Sequence, residues 1–447
     1  MSDARPNVLV VFSDQQRWDT VGAYGSPLDI TPNLDRAAEE GTLLERTFSP
    51  QPVCGPTRAC LQTGQYATTC GGYNNGVTIT ESGDPGYGDL LANVFGDAGY
   101  DTGYVGKWHL GDAGTEPIPE GRRGGYDHWR AADLLEFTSH PYEGVVYDED
   151  GDPVTYDGYR VDAMTDMMID FIEADREEPF FGFLSYLEPH HQNDMQRYVG
   201  PEGSEYRYRN PWVPGDLEGI PGDWHAELPD YYGICERIDE CYGRLLDALD
   251  RAGELEDTIV LFTSDHGSHF RTRNGEYKRS AHESSIRVPG IVRGPGFEDG
   301  RVEELVSLVD LPPTLLDAAG VDVPDRMEGN SVLPLLDGGV GDESANDAVD
   351  WKDDVFVQPM SHEEVARAIR TDRWKYSVYA PGADPWETPQ PEEYVERYLY
   401  DLRADPHEQV NLAGRNDYRG VADDLRERLL ARIEAIEGKA PTIEAAN

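Results

Sequence analysis

Four short apolar runs rich in Val, Ile, Phe and Leu stand out along the chain: Asn7–Ser13, Asp101–Val105, Pro179–Leu187 and Thr258–Thr263. Their hydrophobicity is continuous rather than alternating, as expected of strands buried on both faces of a parallel sheet. Between and after them, apolar residues recur at helical spacing over Asn33–Glu40, Gly88–Ala98, Tyr159–Ala174, Tyr231–Ala252 and Leu311–Ala319. Strands alternating with helices predict an α/β layered sheet. The pattern changes at Asp337–Asp350, a Gly- and Asp-rich stretch that reads as a linker. Beyond it, short strands are expected at Val355–Val357, Val365–Arg370 and Trp374–Tyr379. A last helix is expected over Tyr418–Ile436, with Leu425, Leu429, Leu430 and Ile433 at helical spacing. The predicted organisation is a large domain over 1–345 and a smaller α+β subdomain over 346–447.

Each apolar run ends in a polar cluster. These are Asp14-Gln15, then Lys107 with His109, then Glu188 with His190 and His191, then Asp265-His266. Open α/β sheets place their sites at the carboxyl ends of the strands. Four separate segments therefore deliver acids, an amide, a lysine and imidazoles to one edge. Taken singly, Asp14 also fits a helix cap and Asp265 a turn opening into Gly267.

Charge narrows the setting. Asp and Glu number 86 against 38 Lys and Arg, for a net charge of -48 over 447 residues, and the acid is spread along the whole chain. With regular apolar runs present, this reads as a folded protein of a salt-rich cytoplasm, of the kind found in a halophilic archaeon, where screening is strong. No basic patch exists to neutralise phosphates, so nucleic acid is not an expected partner. The apolar runs are too short to span a bilayer, and the start of the chain lacks the features of a secretory signal, so a cytoplasmic location is expected. Five cysteines without a C-x-x-C pair argue against a disulfide framework or a structural zinc site.

The sharpest local feature is Cys54-Gly55-Pro56-Thr57-Arg58, which precedes an expected helix over Thr57–Thr63. Pro56 suits a first helical turn, and Cys54 would sit at the positive helix end beside Arg58, a setting that favours anions and activates a thiol. Taken alone, the segment favours a buried structural cysteine.

The segment Pro52–Arg58, continuing to Leu61, Thr63 and Gly64, resembles the C-x-P-x-R hallmark of the type I, formylglycine-dependent sulfatases of the alkaline phosphatase superfamily; Gln62 departs from it. A second family motif is matched by Gly99–His109. Asn7–Asp14, Asp265-His266-Gly267, Lys278 with Arg287-Val288-Pro289, and Leu399–Leu412 are also similar to sulfatase segments. The resemblance implies an alkaline-phosphatase-like α/β/α sandwich with a large mixed, mostly parallel sheet, plus a C-terminal α+β subdomain with a short antiparallel sheet. It implies Cys54 oxidised to formylglycine by a formylglycine-generating enzyme. The hydrated aldehyde would offer one oxygen to attack sulfur and a second hydroxyl to expel the bound sulfate.

By position, Asp14, Gln15, Asp265 and His266, with residue 54, would hold one divalent metal. Three oxygen donors favour Ca2+, while the imidazole leaves Mn2+ or Mg2+ open. Lys107 and Lys278, two of only five lysines, would clamp sulfate oxygens. His109 would act as base, His190 would bind sulfate or protonate the leaving oxygen, and Arg58 would orient residue 54. Asn75 and His191 are further substrate-binding candidates, and Glu283 a weaker one. The expected substrate is a small-molecule or glycan sulfate ester. A phosphonate monoester or phosphodiester hydrolase of the same superfamily is the alternative. An unmodified glycan-binding protein is another, with Trp129, Trp212, Trp224 and Trp386 as stacking candidates. Oligomeric state is not legible.

Overall fold

The computed structural model describes residues 5–76, 78, 89–298, 300–337, 350–361 and 364–446. The large sheet has at its centre β1 (Asn7–Ser13), β2 (Thr42–Phe48), β3 (Asp101–Lys107), β4 (His128–Ala132), β5 (Phe180–Ser185), β6 (Thr258–Ser264) and β7 (Gly290–Arg293). Their spatial order is β2-β7-β6-β1-β5-β3-β4. The run β6-β1-β5-β3-β4 is parallel throughout, whereas β7 is antiparallel to both neighbours. The four expected strands are the four at the middle of this sheet. β2 and β7 were not legible, because β2 mixes Glu45, Arg46 and two threonines with its leucines and β7 is only four residues long.

Continuous hydrophobicity along β1 follows from its two buried faces. Leu9 and Val11 join one core, and Val8, Val10 and Phe12 the other. Burying each such side chain contributes about 1.5–3 kcal/mol. Helices α1 (Pro32–Glu40), α4 (Arg160–Ile172) and α5 (Trp224–Ala252) cover the first face; α2 (Cys54–Thr63), α3 (Leu91–Asp97) and α6 (Leu311–Ala318) cover the second. The result is the expected α/β/α sandwich. Two helices begin earlier than expected. α2 starts at Cys54 itself, and α5 starts at Trp224 and runs through Pro229. Burial of Leu228, Pro229, Tyr231 and Tyr232 on one packed surface offsets the single backbone bond that Pro229 forfeits. The expected start of α3 at Gly88 lies outside the described residues.

The smaller sheet contains β8 (Asp354–Val357), β9 (Val365–Thr371), β10 (Trp374–Ala380), β11 (Glu393–Asp401) and β12 (Thr442–Glu444), in that spatial order. It is antiparallel except for the β11–β12 pair. Helix α7 (Arg419–Glu437) lays Ala422, Leu425, Leu429 and Ile433 on this sheet, with Leu430 at the flank. Their core also takes in Cys60 of α2 and Tyr66, so the subdomain packs directly beneath the Cys54 helix. Residues 338–349, most of the expected linker and the expected division at 345/346, lie outside the described residues. Among the described residues no helix is long and apolar enough to cross a membrane.

Candidate active site

The carboxyl ends of β1, β3, β5 and β6 meet over the N-terminus of α2. Cys54 is the first residue of α2 and is 1% exposed. Val53 supplies no side-chain cap; instead the Gly55 N–H donates to Asn75 Oδ1 at 3.2 Å. The helix dipole thus points its positive end at the Cys54 thiol. The thiol sulfur lies 2.7 Å from Lys278 Nζ, 3.4 Å from His266 Nε2 and 3.5 Å from Asp14 Oδ1. Arg58, one helical turn along, donates to Asp14 Oδ2 at 3.1 Å, to Ser185 Oγ at 2.5 Å and to the Lys107 carbonyl at 2.9 Å. Lys107 Nζ donates to Asp14 Oδ2 at 3.0 Å and lies 3.4 Å from Glu136. Gly106 makes this approach feasible. Its φ is +109°, and a Cβ there would sit 1.9 Å from the Ser185 carbonyl oxygen.

Asp14, Cys54, Asp265 and His266 form one buried group whose candidate ligand atoms all lie within 4.8 Å of one another. The donor set fits a divalent cation on three counts. First, Asp265 Oδ2 is buried without a hydrogen-bond partner among the described residues, its nearest cation being Arg58 at 3.8 Å. Second, His266 Nδ1 meets the Gly267 carbonyl at 2.9 Å, and the tautomer that donates there leaves Nε2 as a ligand lone pair. Third, Gln15, held at φ +72°, uses its Nε2 on Tyr198, so Oε1 is the ligand-capable end. Electrostatics agree. Burial, then Asp14, pushes Asp265 up to about 7. Burial and Cys54 also push Asp14 up, but Lys107, His190 and Lys278 outweigh them and hold it below its ordinary range. Two carboxylates this close and this buried need more positive charge than Arg58 supplies. Burial opposes ionisation of Cys54, yet Lys107, Lys278 and His266 draw its pKa well below the ordinary thiol value.

The remaining expected residues fall into two groups. His190 Nε2 lies 3.1 Å from Lys278 Nζ, and its Nδ1 lies 2.6 Å from the His191 carbonyl. Burial, then Lys278, lowers the His190 pKa, so the ring is neutral. His109 is buried at φ +59° with Nδ1 unpartnered among the described residues, and the Cys54 thiol is influenced by it. His191 stands one layer away: its ring packs on Tyr277 at 4.7 Å, and Nδ1 lies 3.4 Å from Asn193 Oδ1. Asn75 is spent partly on the helix end. Glu283 is not with this cluster; it pairs with Lys375 at 2.8 Å and Arg370 at 3.4 Å, tying the Lys278-bearing side to the small sheet. Trp129 is fully buried against Tyr104 and Trp108, which removes it from the stacking candidates. Sequence reasoning missed Glu136, Ser185 and Tyr198. Ser185 closes a legible strand and could have been found; Glu136 lies in a one-turn helix, Leu135–Thr138, too short to show a period, and Tyr198 in a loop without a pattern.

The Sulfatase family model matches residues 6–321, and the model for the N-sulphoglucosamine sulphohydrolase C-terminal region matches residues 275–435. The ulvan-active sulfatase of Formosa agariphila is 30% identical over 441 residues, covering 96% of this chain and 81% of the relative. The N-acetylglucosamine-6-O-sulfatase of Bacteroides thetaiotaomicron is 27% identical, covering 95% and 86%. Among solved structures, an enzyme bound to its substrate D-glucosamine-2-N,6-O-disulfate superposes with a TM-score of 0.78 at 24% identity, covering 98% of this chain and 99% of that one. The phosphonate monoester hydrolase of Agrobacterium radiobacter superposes with a TM-score of 0.68 at 24% identity, covering 96% and 95%.

Proposed function

The chain belongs to the sulfatase family, and from that premise we propose that it hydrolyses sulfate esters of carbohydrates with residue 54, as formylglycine, for its nucleophile. The observation that carries this reading is the Cys54 sulfur at the N-terminus of α2, 2.7 Å from Lys278 and 3.4 Å from His266. A phosphonate monoester or phosphodiester hydrolase is the weaker alternative, supported by the superposition on the phosphonate monoester hydrolase. The named sulfatase relatives and their sugar substrates support the sulfate reading.

Overall, a sulfate monoester and water become an alcohol and hydrogen sulfate. Formylglycine at position 54 supplies a hydrated-aldehyde oxygen to attack sulfur and a second hydroxyl whose proton loss releases sulfate. Asp14, Gln15, Asp265, His266 and residue 54 would hold one divalent cation, Ca2+ by the count of oxygen donors, with Mn2+ or Mg2+ the other choices; it would supply positive charge to offset the anionic charge of the reaction. Lys107 and Lys278 hold sulfate oxygens, and Arg58 fixes the residue 54 helix against Asp14. His109 accepts the proton of the residue 54 hydroxyl. His190 gives its Nδ1–H to the His191 carbonyl and accepts from Lys278 at Nε2. The proton for the leaving oxygen therefore resides on the Lys278 ammonium, which His190 orients. Asn75 and His191 are assigned to the substrate rim.

The charge balance supports a salt-rich cytoplasm as the working compartment, and the two sheets support a division of the chain at 345/346. A formylglycine-generating enzyme is the implied partner. The test is mass analysis of the peptide spanning Cys54, from protein made beside that enzyme, together with rates on an aryl sulfate and an aryl phosphodiester. An aldehyde mass and faster sulfate turnover are expected. An intact thiol in active protein, or turnover surviving Cys54→Ala, overturns the mechanism; a faster diesterase rate moves the function to the alternative.

A further inference from the structure

Beside the reactive centre, a cavity of about 250 Å³ opens between the Lys278 loop and the small sheet, and Arg273, Arg279 and Arg397 all line it. In a chain of net charge -48, arginines are ordinarily matched by carboxylates. Two of these are: Arg279 pairs with Glu276 at 2.7 Å, and Arg397 pairs with Glu364. Arg273 is different. Its guanidinium donates to the backbone carbonyls of Glu408 at 2.8 Å and His407 at 2.7 Å, and its Nε is buried without a partner among the described residues. His282, also in the wall, keeps Nδ1 buried without a hydrogen-bond partner among the described residues, and burial, then Arg273, lowers its pKa well below the ordinary imidazole value. Arg273 is half-buried and makes no salt bridge among the described residues, and a guanidinium's planar donor set suits sulfate and carboxylate.

The cavity shares its wall with the reacting centre. Asn274 Nδ2 donates to the Lys278 carbonyl at 2.9 Å. Arg279 follows Lys278 at φ +67°, and its N–H donates to the Pro52 carbonyl at 3.2 Å, two residues before Cys54. Lys278 thus serves the Cys54 chamber while its neighbour Arg279 serves the cavity.

We propose that this cavity is a second anion subsite, which holds a sulfate or carboxylate of the substrate other than the group being hydrolysed, so that the substrate is a glycan with at least two anionic groups. The proposal rests on the sulfatase reading of the Cys54 centre. Its test compares, at one fixed salt concentration, a monosulfated oligosaccharide with counterparts carrying either a second sulfate or a uronate carboxylate. Formylglycine-bearing protein is used, with 4-nitrophenyl sulfate as the small reference.

One charge-assisted contact predicts kcat/KM about 10-fold or more higher for a dianionic sugar, expressed in KM. Arg273→Gln and Arg397→Gln should erase most of that preference and leave 4-nitrophenyl sulfate turnover at the parental rate; Arg273→Lys should restore part of it. Which counterpart gains identifies the second group. Equal kcat/KM for all sugars in the parent, or a preference that survives in Arg397→Gln, overturns the subsite even if Arg273→Gln fails to fold. No turnover of any sulfate ester overturns the sulfatase reading instead.

Discussion

Replacing Arg58 with Met isolates the electrostatic core of the site. The side chain keeps its length along α2 but loses the charge that faces Asp14 at 3.1 Å and Asp265 at 3.8 Å, together with its bonds to Ser185 and the Lys107 carbonyl. Both carboxylates are fully buried. Breaking a buried pair by removing one partner costs about 3–5 kcal/mol, because the other charge stays behind uncompensated. At about 2.1 cal/mol/K of unfolding entropy per residue, a chain of 447 residues loses roughly 1 °C of melting midpoint per kcal/mol, so a fall of about 3–5 °C is expected. The assay is a thermal melt of both proteins in chelator, repeated with saturating Ca2+. A divalent cation between the carboxylates replaces the missing charge, so the gap should narrow when it is added. Arg58→Lys should fall between, since one ammonium cannot reach three acceptors at once. Equal midpoints in chelator would refute the charge argument, and a gap indifferent to Ca2+ would refute the cation site.

Other outcomes follow from the same geometry. Chelation should abolish aryl sulfate turnover, and add-back of Ca2+ against Mn2+ should show which donor type governs; undiminished turnover in chelator would rule the cation out. His269 is fully buried, and burial lowers its pKa from 6.5 to about 4. The unfolded chain therefore binds the extra proton first, so this stability is present above pH 6.5 and drains away as pH falls toward 4. His269→Gln should lose about 2–3 kcal/mol less than the parent across that window, measured by denaturant midpoints, and parallel pH curves would contradict it. Gly106→Ala, which thrusts a Cβ to 1.9 Å from the Ser185 carbonyl oxygen, should cost about 3 kcal/mol or more and reduce turnover by displacing Lys107; a parental melt would refute the close-approach reading. Raising KCl from about 0.1 to 1 M shortens the screening length from about 10 to 3 Å, so midpoint and turnover should both rise for a chain of net charge -48. A protein equally stable and active in dilute buffer would sever charge from salt adaptation.

The central strands β1, β5 and β6 were legible because they are buried on both faces and carry long apolar runs, whereas β3 offers only Tyr104 and Val105 between glycines. Their polar endings pointed to one edge, and Asp14, Lys107, His190, Asp265 and His266 do converge there. Strand β2 was not legible, because its half-buried Glu45 and Arg46 break the apolar pattern, and neither was β11, which mixes buried Tyr394, Glu396 and Leu399 with more exposed residues. Glu136 was invisible for a different reason. It matters only through Lys107, a contact between a one-turn helix and a strand end that no local spacing encodes. Glu283 misled because an isolated acid near a motif resembles a catalytic one; only the neighbouring Lys375 and Arg370 reveal its tethering role.

The parallel order β6-β1-β5 also has a consequence in time. Asp14 acquires its neighbours Asp265 and His266 only when a strand some 250 residues downstream has been made. About 210 residues likewise separate Cys54 from the end of β6, and synthesis at 5–20 residues per second takes about 10–40 s to cover them. During that interval the chain around Cys54 has no finished sheet to close over it. Afterwards the thiol is 1% exposed and every residue of its helix is buried. The modification of residue 54 proposed above would therefore meet a deadline set by translation, with the open interval before β6 is made as its window.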